Sequence, residues 1–120
     1  MTVHEAVAAF AAAWNTDGDQ ERMRLLTISC MPDAVFVSPQ GQMVGIGALS
    51  ASIGEFRSAF PAAVVTFGAA DEHGGFARVA WMTTWNNGQP PLVGQDFAQL
   101  GADGRIKLLV SFDGTSLPAP

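Results

Sequence analysis

Asp96 is the carboxylate with the most unusual surroundings in this sequence. It lies in the middle of segment 91–100, which reads PLVGQDFAQL and is typical of a β-strand, although Asp is depleted in strand interiors. Because alternate side chains of a strand share a face, Asp96 points the same way as a set of apolar or small residues: Leu92, Gly94, Ala98 and Leu100. A carboxyl on an apolar face is poorly solvated, so its pKa rises and it can exchange a proton near neutral pH.

The same alternation permits a second orientation of this strand. If the face that carries Val93 and Phe97 is the core, Asp96 is exposed to solvent beside Arg78 or Arg105. The first orientation predicts an acid/base site, and the second predicts a surface carboxylate. Alternation alone leaves both orientations open.

Aromatic residues supply the walls of a candidate pocket around this acid. In segment 76–86, Trp81, Thr83 and Trp85 share one face, where indole N–H groups and a hydroxyl can orient a ligand. Earlier segments add further aromatic residues to the expected pocket: Trp14, Phe36 and Phe56. Each aromatic residue taken singly is equally typical of an ordinary core, so the pocket depends on Asp96 pointing inward.

Other residue types that carry chemistry are few, and we expect neither a metal nor an organic cofactor. The two histidines, His4 and His73, are far apart and Cys30 is the one cysteine, so one chain cannot assemble a metal cluster or a disulfide. Segment 45–50, GIGALS, has two glycines at dinucleotide-binding spacing but lacks the third. Nothing near Cys30 in the sequence would lower the pKa of its thiol, so we expect a buried structural role.

The composition excludes several classes of partner. The 120 residues include 6 Lys and Arg against 11 Asp and Glu, a net charge of −5, which leaves no basic stripe for nucleic acid. No apolar run is long enough to span a membrane and the first residues lack a signal-peptide pattern, so we expect a cytoplasmic protein that binds neither nucleic acid nor membrane. Only 14% of the residues are charged, which indicates that part of the surface faces a partner subunit.

The elements that position these residues change character near Pro61. Helical spacing dominates before it, and a period of two dominates after it. The predicted order is helix, helix, strand, strand, helix and then four strands joined as an antiparallel meander, near 62–71, 76–86, 91–100 and 105–112. This order predicts an α+β fold in which a long antiparallel sheet packs its apolar face against three helices. We expect one domain over residues 1–115 and a flexible tail over 116–120.

Four stretches of the sequence resemble the SnoaL-like branch of the nuclear transport factor 2-like superfamily, which includes ketosteroid isomerases and polyketide cyclases. They are 14–19 (WNTDGD), 32–36 (PDAVF), 39–47 (PQGQMVGIG) and 103–107 (DGRIK). The resemblance implies a cystatin-like fold in which a cone-shaped, curved antiparallel sheet wraps around three helices. It also implies a pocket for a small apolar molecule and a homodimer formed through the outer face of the sheet.

The spacing from Asp96 to Ile106 resembles that of ketosteroid isomerases, in which an acid at this position stays protonated in the oxyanion hole. The general base of that family falls at Ser38, whose hydroxyl cannot hold a proton taken from carbon. The family's oxyanion tyrosine falls near Ala11, and this chain has no tyrosine. These departures argue against ketosteroid isomerisation of the usual kind and leave Ser38 as an orienting hydrogen-bond donor.

Functions from two different classes stay open. SnoaL-like cyclases use a single acid/base Asp, so the resemblance implies isomerase- or cyclase-like proton transfer by Asp96 on an apolar substrate. An Asp–Arg–Asp set like that of the related limonene epoxide hydrolases is disfavoured, because Arg78 faces away from Trp81 by alternation. The alternative is a non-catalytic module for ligand binding or dimerisation.

Overall fold

The computed structural model describes residues 1–114, which form three α-helices and seven β-strands. The helices are α1 (Val3–Trp14), α2 (Asp19–Ser29) and α3 (Ile46–Ala59). The strands are β1 (Cys30–Ser38), β2 (Gly41–Val44), β3 (Val64–Phe67), β4 (Asp71–His73), β5 (Phe76–Thr84), β6 (Leu92–Leu100) and β7 (Ile106–Asp113). The predicted tail, 116–120, lies outside the described residues, and the predicted domain bounds stay a prediction.

All seven strands belong to one curved sheet. Its order is β2-β1-β7-β6-β5-β3, with β4 also paired to β5, so the sheet has two free edges and does not close into a barrel. Neighbouring strands are antiparallel except β1 and β7, which run parallel. The predicted α+β fold, three helices with a curved and largely antiparallel sheet, is confirmed.

The prediction of four long strands in the second half is wrong at its first member. Segment 62–71 contains the short strand β3 and only the first residue of another short strand, β4, and the two strands pair with different parts of β5. Between them lie Gly68, Ala69 and Ala70, small residues of low strand propensity. The predicted meander also did not include the pairing of β1 with β7. This pairing joins distant parts of the chain.

The core lies between the helices and the inner face of the sheet. Its buried members come from every layer: Phe10, Leu26, Phe36, Leu49, Ile53 and Leu109. Asn15, which follows α1, fixes that helix to the sheet edge, because its side-chain amide accepts from the Val65 N–H at 2.8 Å and donates to the Val65 carbonyl at 2.7 Å. Helix α1 therefore lies over the sheet next to β3.

Two buried arginines fix the turn between α1 and α2. Arg22 is only 1% exposed, donates to the Thr16 and Ser50 oxygens at 2.9 and 3.0 Å and pairs with the Asp19 carboxylate. Arg57 of α3 pairs with the Asp17 carboxylate at 2.8 Å. Both guanidinium groups are thus engaged in holding helices together.

Candidate ligand cavity

A cavity of about 510 Å³ lies between the inner face of the sheet and helices α1 and α3. Pockets for drug-sized ligands are about 300 to 1,000 Å³, so the volume suits a small molecule. Exposed residues line one part of it, such as Gln40 in the turn after β1 and Asp113 at the end of β7. Asp96 is buried, and we call the part of the lining that it forms the floor.

The structure brings all the sequence-predicted site residues to this one cavity. They come from α1, α3, β1, β5, β6 and the loop after β5: Trp14, Phe36, Ser38, Phe56, Trp81, Thr83, Trp85 and Asp96. Their shared lining follows from the topology, because β5, β6 and β1 present one face of the sheet to the helices. Their assignment to binding or catalysis stays a prediction.

Asp96 takes the inward orientation. Its side chain is 4% exposed, and its backbone pairs with Val79 of β5 and Ser111 of β7. The neighbouring Phe97 points to the other face of the sheet, is 43% exposed and contacts Phe112. The inner face is therefore the one that Asp96 shares with small and apolar residues.

Burial gives the Asp96 carboxyl an unusually high pKa. Loss of hydration raises the pKa of its carboxyl to about 6 from 3.8. The side chains of Ser111 and Trp81 oppose this change, and the negative charge of Asp113 adds to it. The group consequently changes charge close to neutral pH, as suits a residue that both takes and returns a proton.

Two polar atoms at the floor have no hydrogen-bond partner among residues 1–114. They are Oδ1 of Asp96 and the indole Nε1 of Trp81. The Trp81 N–H is near enough to lower the pKa of Asp96, but its geometry stops short of a hydrogen bond. Buried polar groups are rarely left unpaired, and the side chains around these two atoms shield them from solvent, so a ligand reaches them only if those side chains move.

Gly94 creates the space in which the Trp81 indole lies. The two residues are cross-strand partners, and a Cβ placed on Gly94 would overlap the indole ring and the Phe112 carbonyl oxygen. Gly94 therefore lets the indole lie flat on the sheet beside Asp96. The alternation pattern treated this glycine only as a small residue.

Aromatic rings form a second wall, away from the floor. The ring centroid of Phe56 lies 5.6 Å from that of Trp14 and 6.0 Å from that of Trp85. Phe60 extends the cluster, at 4.8 Å from Trp85. The loop that carries Trp85 is held by Asn86, which adopts a left-handed φ of 55° and donates to the Ala62 carbonyl at 2.9 Å.

Ser38 lies at the rim of the cavity, and its hydroxyl is already engaged. It donates to Gln40 Oε1 at 3.1 Å and accepts from the Gln40 backbone N–H at 3.3 Å. These bonds stabilise the turn between β1 and β2. Ser38 would have to exchange the bond to Gln40 before it could orient a ligand.

Sequence reasoning missed five polar residues of the cavity lining, and the two on strand β7 are Ser111 and Asp113. Both lie on the inner face of β7, opposite Asp96 and Gly94 respectively. A period of two from Leu109 places both side chains on one face, so the signal was present in segment 106–113. It lacked the apolar context that singled out Asp96, because Asp113 is exposed at a strand end.

Cys30 is not part of this site. It is fully buried in the core, and burial raises the pKa of its thiol to about 11. A thiol that stays protonated is a poor nucleophile. The expected structural role agrees with this burial.

Comparisons with solved structures add independent evidence about the fold. A SnoaL-like family protein from Agrobacterium tumefaciens, provisionally assigned as an isomerase, superposes with a TM-score of 0.81 at 28% identity, covering 92% of this chain and 95% of that one. The chain has the SnoaL-like, NTF2-like fold. A provisionally assigned SnoaL-like polyketide cyclase from Jannaschia sp. has a TM-score of 0.71 at 17% identity, with 92% and 85% of the two chains covered.

An NTF2-like protein of unknown function from Cytophaga hutchinsonii also superposes on this chain, with a TM-score of 0.71 at 15% identity over 95% of this chain and 91% of that one. No protein-family model and no curated protein sequence matches the chain. The predicted resemblance to SnoaL-like and NTF2-like proteins is confirmed by the structural neighbours.

Proposed function

We propose that the protein is an enzyme that moves a proton within an apolar carbonyl compound, with Asp96 as its acid/base residue. The observation that carries the proposal is the buried Asp96 carboxyl, unpartnered at Oδ1, on the floor of an aromatic cavity. Its pKa of about 6 leaves the carboxylate mostly ionised at neutral pH, ready to accept a proton. The provisional isomerase and cyclase assignments of two structural neighbours support the same class of chemistry.

The proposed reaction begins with Asp96 taking a proton from the carbon next to the carbonyl group. The C–H bond breaks, and its electron pair moves onto the carbonyl oxygen. The Trp81 N–H, which lies near Asp96 without completing a hydrogen bond to it, donates to that oxygen and stabilises the developing charge in place of the absent tyrosine. In a substrate with a C=C bond one carbon further along, the resulting dienolate takes the proton back from Asp96 at its far carbon, so the C=C bond shifts into conjugation with the re-formed carbonyl group and the isomerisation is complete.

Cyclisation would use the same first step. The enolate carbon attacks a second carbonyl of the same molecule, and the protonated Asp96 gives its proton to the new alkoxide. The aromatic wall formed by Trp14, Phe56 and Trp85 would hold the apolar body of the substrate. Ser38 would orient the substrate at the rim by exchanging its bond to Gln40.

Hydrogen–deuterium exchange next to the carbonyl of an apolar ketone tests this function without knowledge of the natural substrate. We expect the wild-type protein to accelerate exchange of a bicyclic ketone such as tetralone, followed by NMR in deuterated buffer. The rate should rise with pH through about 6 and then level off, because the ionised form of Asp96 is the active one.

The matched control for this assay is Asp33→Asn. Asp33 is an exposed carboxylate of β1 outside the cavity lining, so its replacement should leave the exchange rate unchanged. Binding of the ketone without acceleration over the Asp96→Asn variant would contradict catalysis and favour a non-catalytic binding module.

We also propose that two copies of the chain associate through the outer face of the sheet. That face carries exposed large apolar side chains on three adjacent strands: Phe76 (58% exposed), Met82 (40%), Phe97 (43%) and Phe112 (55%). Isolated monomers rarely expose contiguous apolar patches of this kind. Self-association would cover the patch and agrees with the low charge of the sequence.

Phe97→Glu is expected to separate the proposed dimer, because it replaces the apolar ring between Arg78 and Phe112 with a carboxylate and removes the ring contact with Phe112. Light scattering after size exclusion should give twice 12.6 kDa for the wild-type chain and 12.6 kDa for the variant. Ile28→Glu is the control, since Ile28 is 40% exposed on α2, away from the sheet face. A wild-type mass of one chain at micromolar concentration would overturn the dimer proposal.

No helix within residues 1–114 has the length and apolar character needed to cross a membrane. A cytoplasmic location stays a prediction from the sequence.

A further inference from the structure

The residues that line the cavity carry an uncompensated negative charge. Two of them are carboxylates, Asp96 and Asp113, and none of the lining residues in the described part of the chain is Lys, Arg or His. The five arginines pair with carboxylates elsewhere in the fold, so they do not compensate this charge.

The positions of the two carboxylates are fixed by the sheet register. Asp96 lies opposite Ser111, and Asp113 lies opposite Gly94, so the two are diagonal neighbours on the inner face. Diagonal neighbours lie about 7 to 8 Å apart at their Cα atoms. Asp96 is at the buried floor and Asp113 is at the exposed end, with Ser111 between them on the same face.

Two observations indicate that a ligand supplies the missing positive charge. Asp113 makes no ion pair with any residue in 1–114, and its charge makes a minor contribution to the raised pKa of Asp96, which burial mainly causes. Independently, Oδ1 of Asp96 is buried in the cavity without a partner, although the residue is only 4% exposed. A cation between the rim and the floor would relieve the repulsion between the two carboxylates.

We propose that the ligand of this cavity carries a protonated amine that lies between Asp113 and Asp96, pairs with the Asp113 carboxylate and donates toward Asp96, while its apolar part lies along the aromatic walls. The inference rests on the proposed function only in taking the cavity as the ligand site. It adds the substrate class, an apolar compound with an ammonium group a few bonds from its reacting centre, and it excludes carboxylates and phosphates.

The walls of the cavity suit both parts of the proposed ligand, the ammonium group and the apolar body. Trp14, Trp81 and Trp85 all line it, and the faces of indole rings attract ammonium groups. An ammonium group also has three donors, one of which can satisfy a carboxylate oxygen. An anionic ligand would find carboxylates and ring faces, both of which repel negative charge.

A matched set of three probes tests the inference on the wild-type protein by titration calorimetry at neutral pH and low salt. The probes are naphthylmethylamine, naphthylmethanol and naphthoate, which share one apolar skeleton and differ in charge. We expect the amine to bind about tenfold more tightly than the alcohol, and the carboxylate to bind about tenfold more weakly than the alcohol.

Asp113→Asn should bring the affinities of the amine and the alcohol to within about threefold of each other, while the alcohol binds as it does to the wild-type protein. Unchanged alcohol binding shows that the variant is folded. Glu72→Gln is the control, because it changes the net charge equally at an exposed site on β4 outside the cavity lining. It should leave the preference for the amine intact.

The possible outcomes separate this inference from the proposed function. If the alcohol binds but the amine has no advantage, or if the advantage survives in Asp113→Asn, the amine inference is wrong and the ligand cavity stands. If none of the three probes binds, both are overturned.

Discussion

Asp96→Asn is expected to stabilise the folded protein at pH 8 by about 1 to 3 kcal/mol while it lowers proton-transfer activity about a hundredfold to ten-thousandfold. The stabilisation follows from removing a buried charge. A pKa of about 6 in place of 3.8 corresponds to about 3 kcal/mol of unfavourable burial for the ionised form. The gain is smaller than that figure, because the asparagine amide also requires hydrogen-bond partners.

The pH dependence identifies the cause of this stabilisation. Below about pH 3.8 the carboxyl is protonated in both the folded and the unfolded chain, so the variant gains nothing there and should be less stable than the wild-type protein by the cost of burying its amide. Between that pH and about 6 the folded protein holds a proton that the unfolded chain releases, so wild-type stability falls as pH rises. The advantage of the variant should therefore grow through this window and stay constant above it.

Urea unfolding of both proteins at several pH values between 4 and 8 measures this difference. Subtracting the two curves removes the titration of every other carboxyl, because the proteins differ only at Asp96. A variant less stable than the wild-type protein at pH 8 would show that the carboxylate makes stabilising contacts. A difference that did not depend on pH would show that the charge of Asp96 is not the cause.

Gly94→Ala is expected to destabilise the protein by about 1 to 3 kcal/mol and to abolish ligand binding. The added methyl group would overlap the Trp81 indole and the backbone oxygen of Phe112. The indole can move only into the cavity, whereas the backbone oxygen can move only with strand β7. The change would therefore fill the floor of the cavity and remove the free N–H from beside Asp96.

Gly47→Ala is the matched control for this substitution. Gly47 lies in α3, where an added Cβ meets nothing within 4 Å, so replacement by alanine should leave stability unchanged or raise it. Urea unfolding and calorimetric titration with the naphthalene probes measure the two effects. Normal probe affinity in Gly94→Ala would show that the position of the Trp81 indole does not shape the cavity.

Much of the fold was predictable because its signals are local. Thr2 caps α1 by accepting from the Glu5 N–H at 3.2 Å, and the change of period after Pro61 marks the point beyond which the described elements are all strands. The break between β3 and β4 at 68–70 was missed. Its small residues, Gly and Ala, do not clearly interrupt the alternation of apolar and polar residues that predicts one continuous strand. The parallel pairing of β1 with β7 was missed because no local pattern specifies a partner about 70 residues away.

The candidate site was predictable to a different extent at each residue. Asp96, Trp81 and Thr83 were found because each stands out on its own strand. Asp113 was missed, because its place in the cavity depends on the register between β6 and β7. The role of Gly94 was missed for a similar reason, since a glycine gives no sign of the ring that covers it until the partner strand is known.

The sequence by itself determined the chemical groups that this protein can use: one carboxyl in an apolar strand, several indoles, no tyrosine and few cations. It also determined the two sets of side chains that share a face of each strand. Only the tertiary structure decided which set faces the helices, because a period of two gives two faces that are equivalent until a packing partner covers one of them. Helices α1 and α3 cover the face of Asp96, and that choice buries its charge and brings it together with Trp81, Ser111 and Asp113.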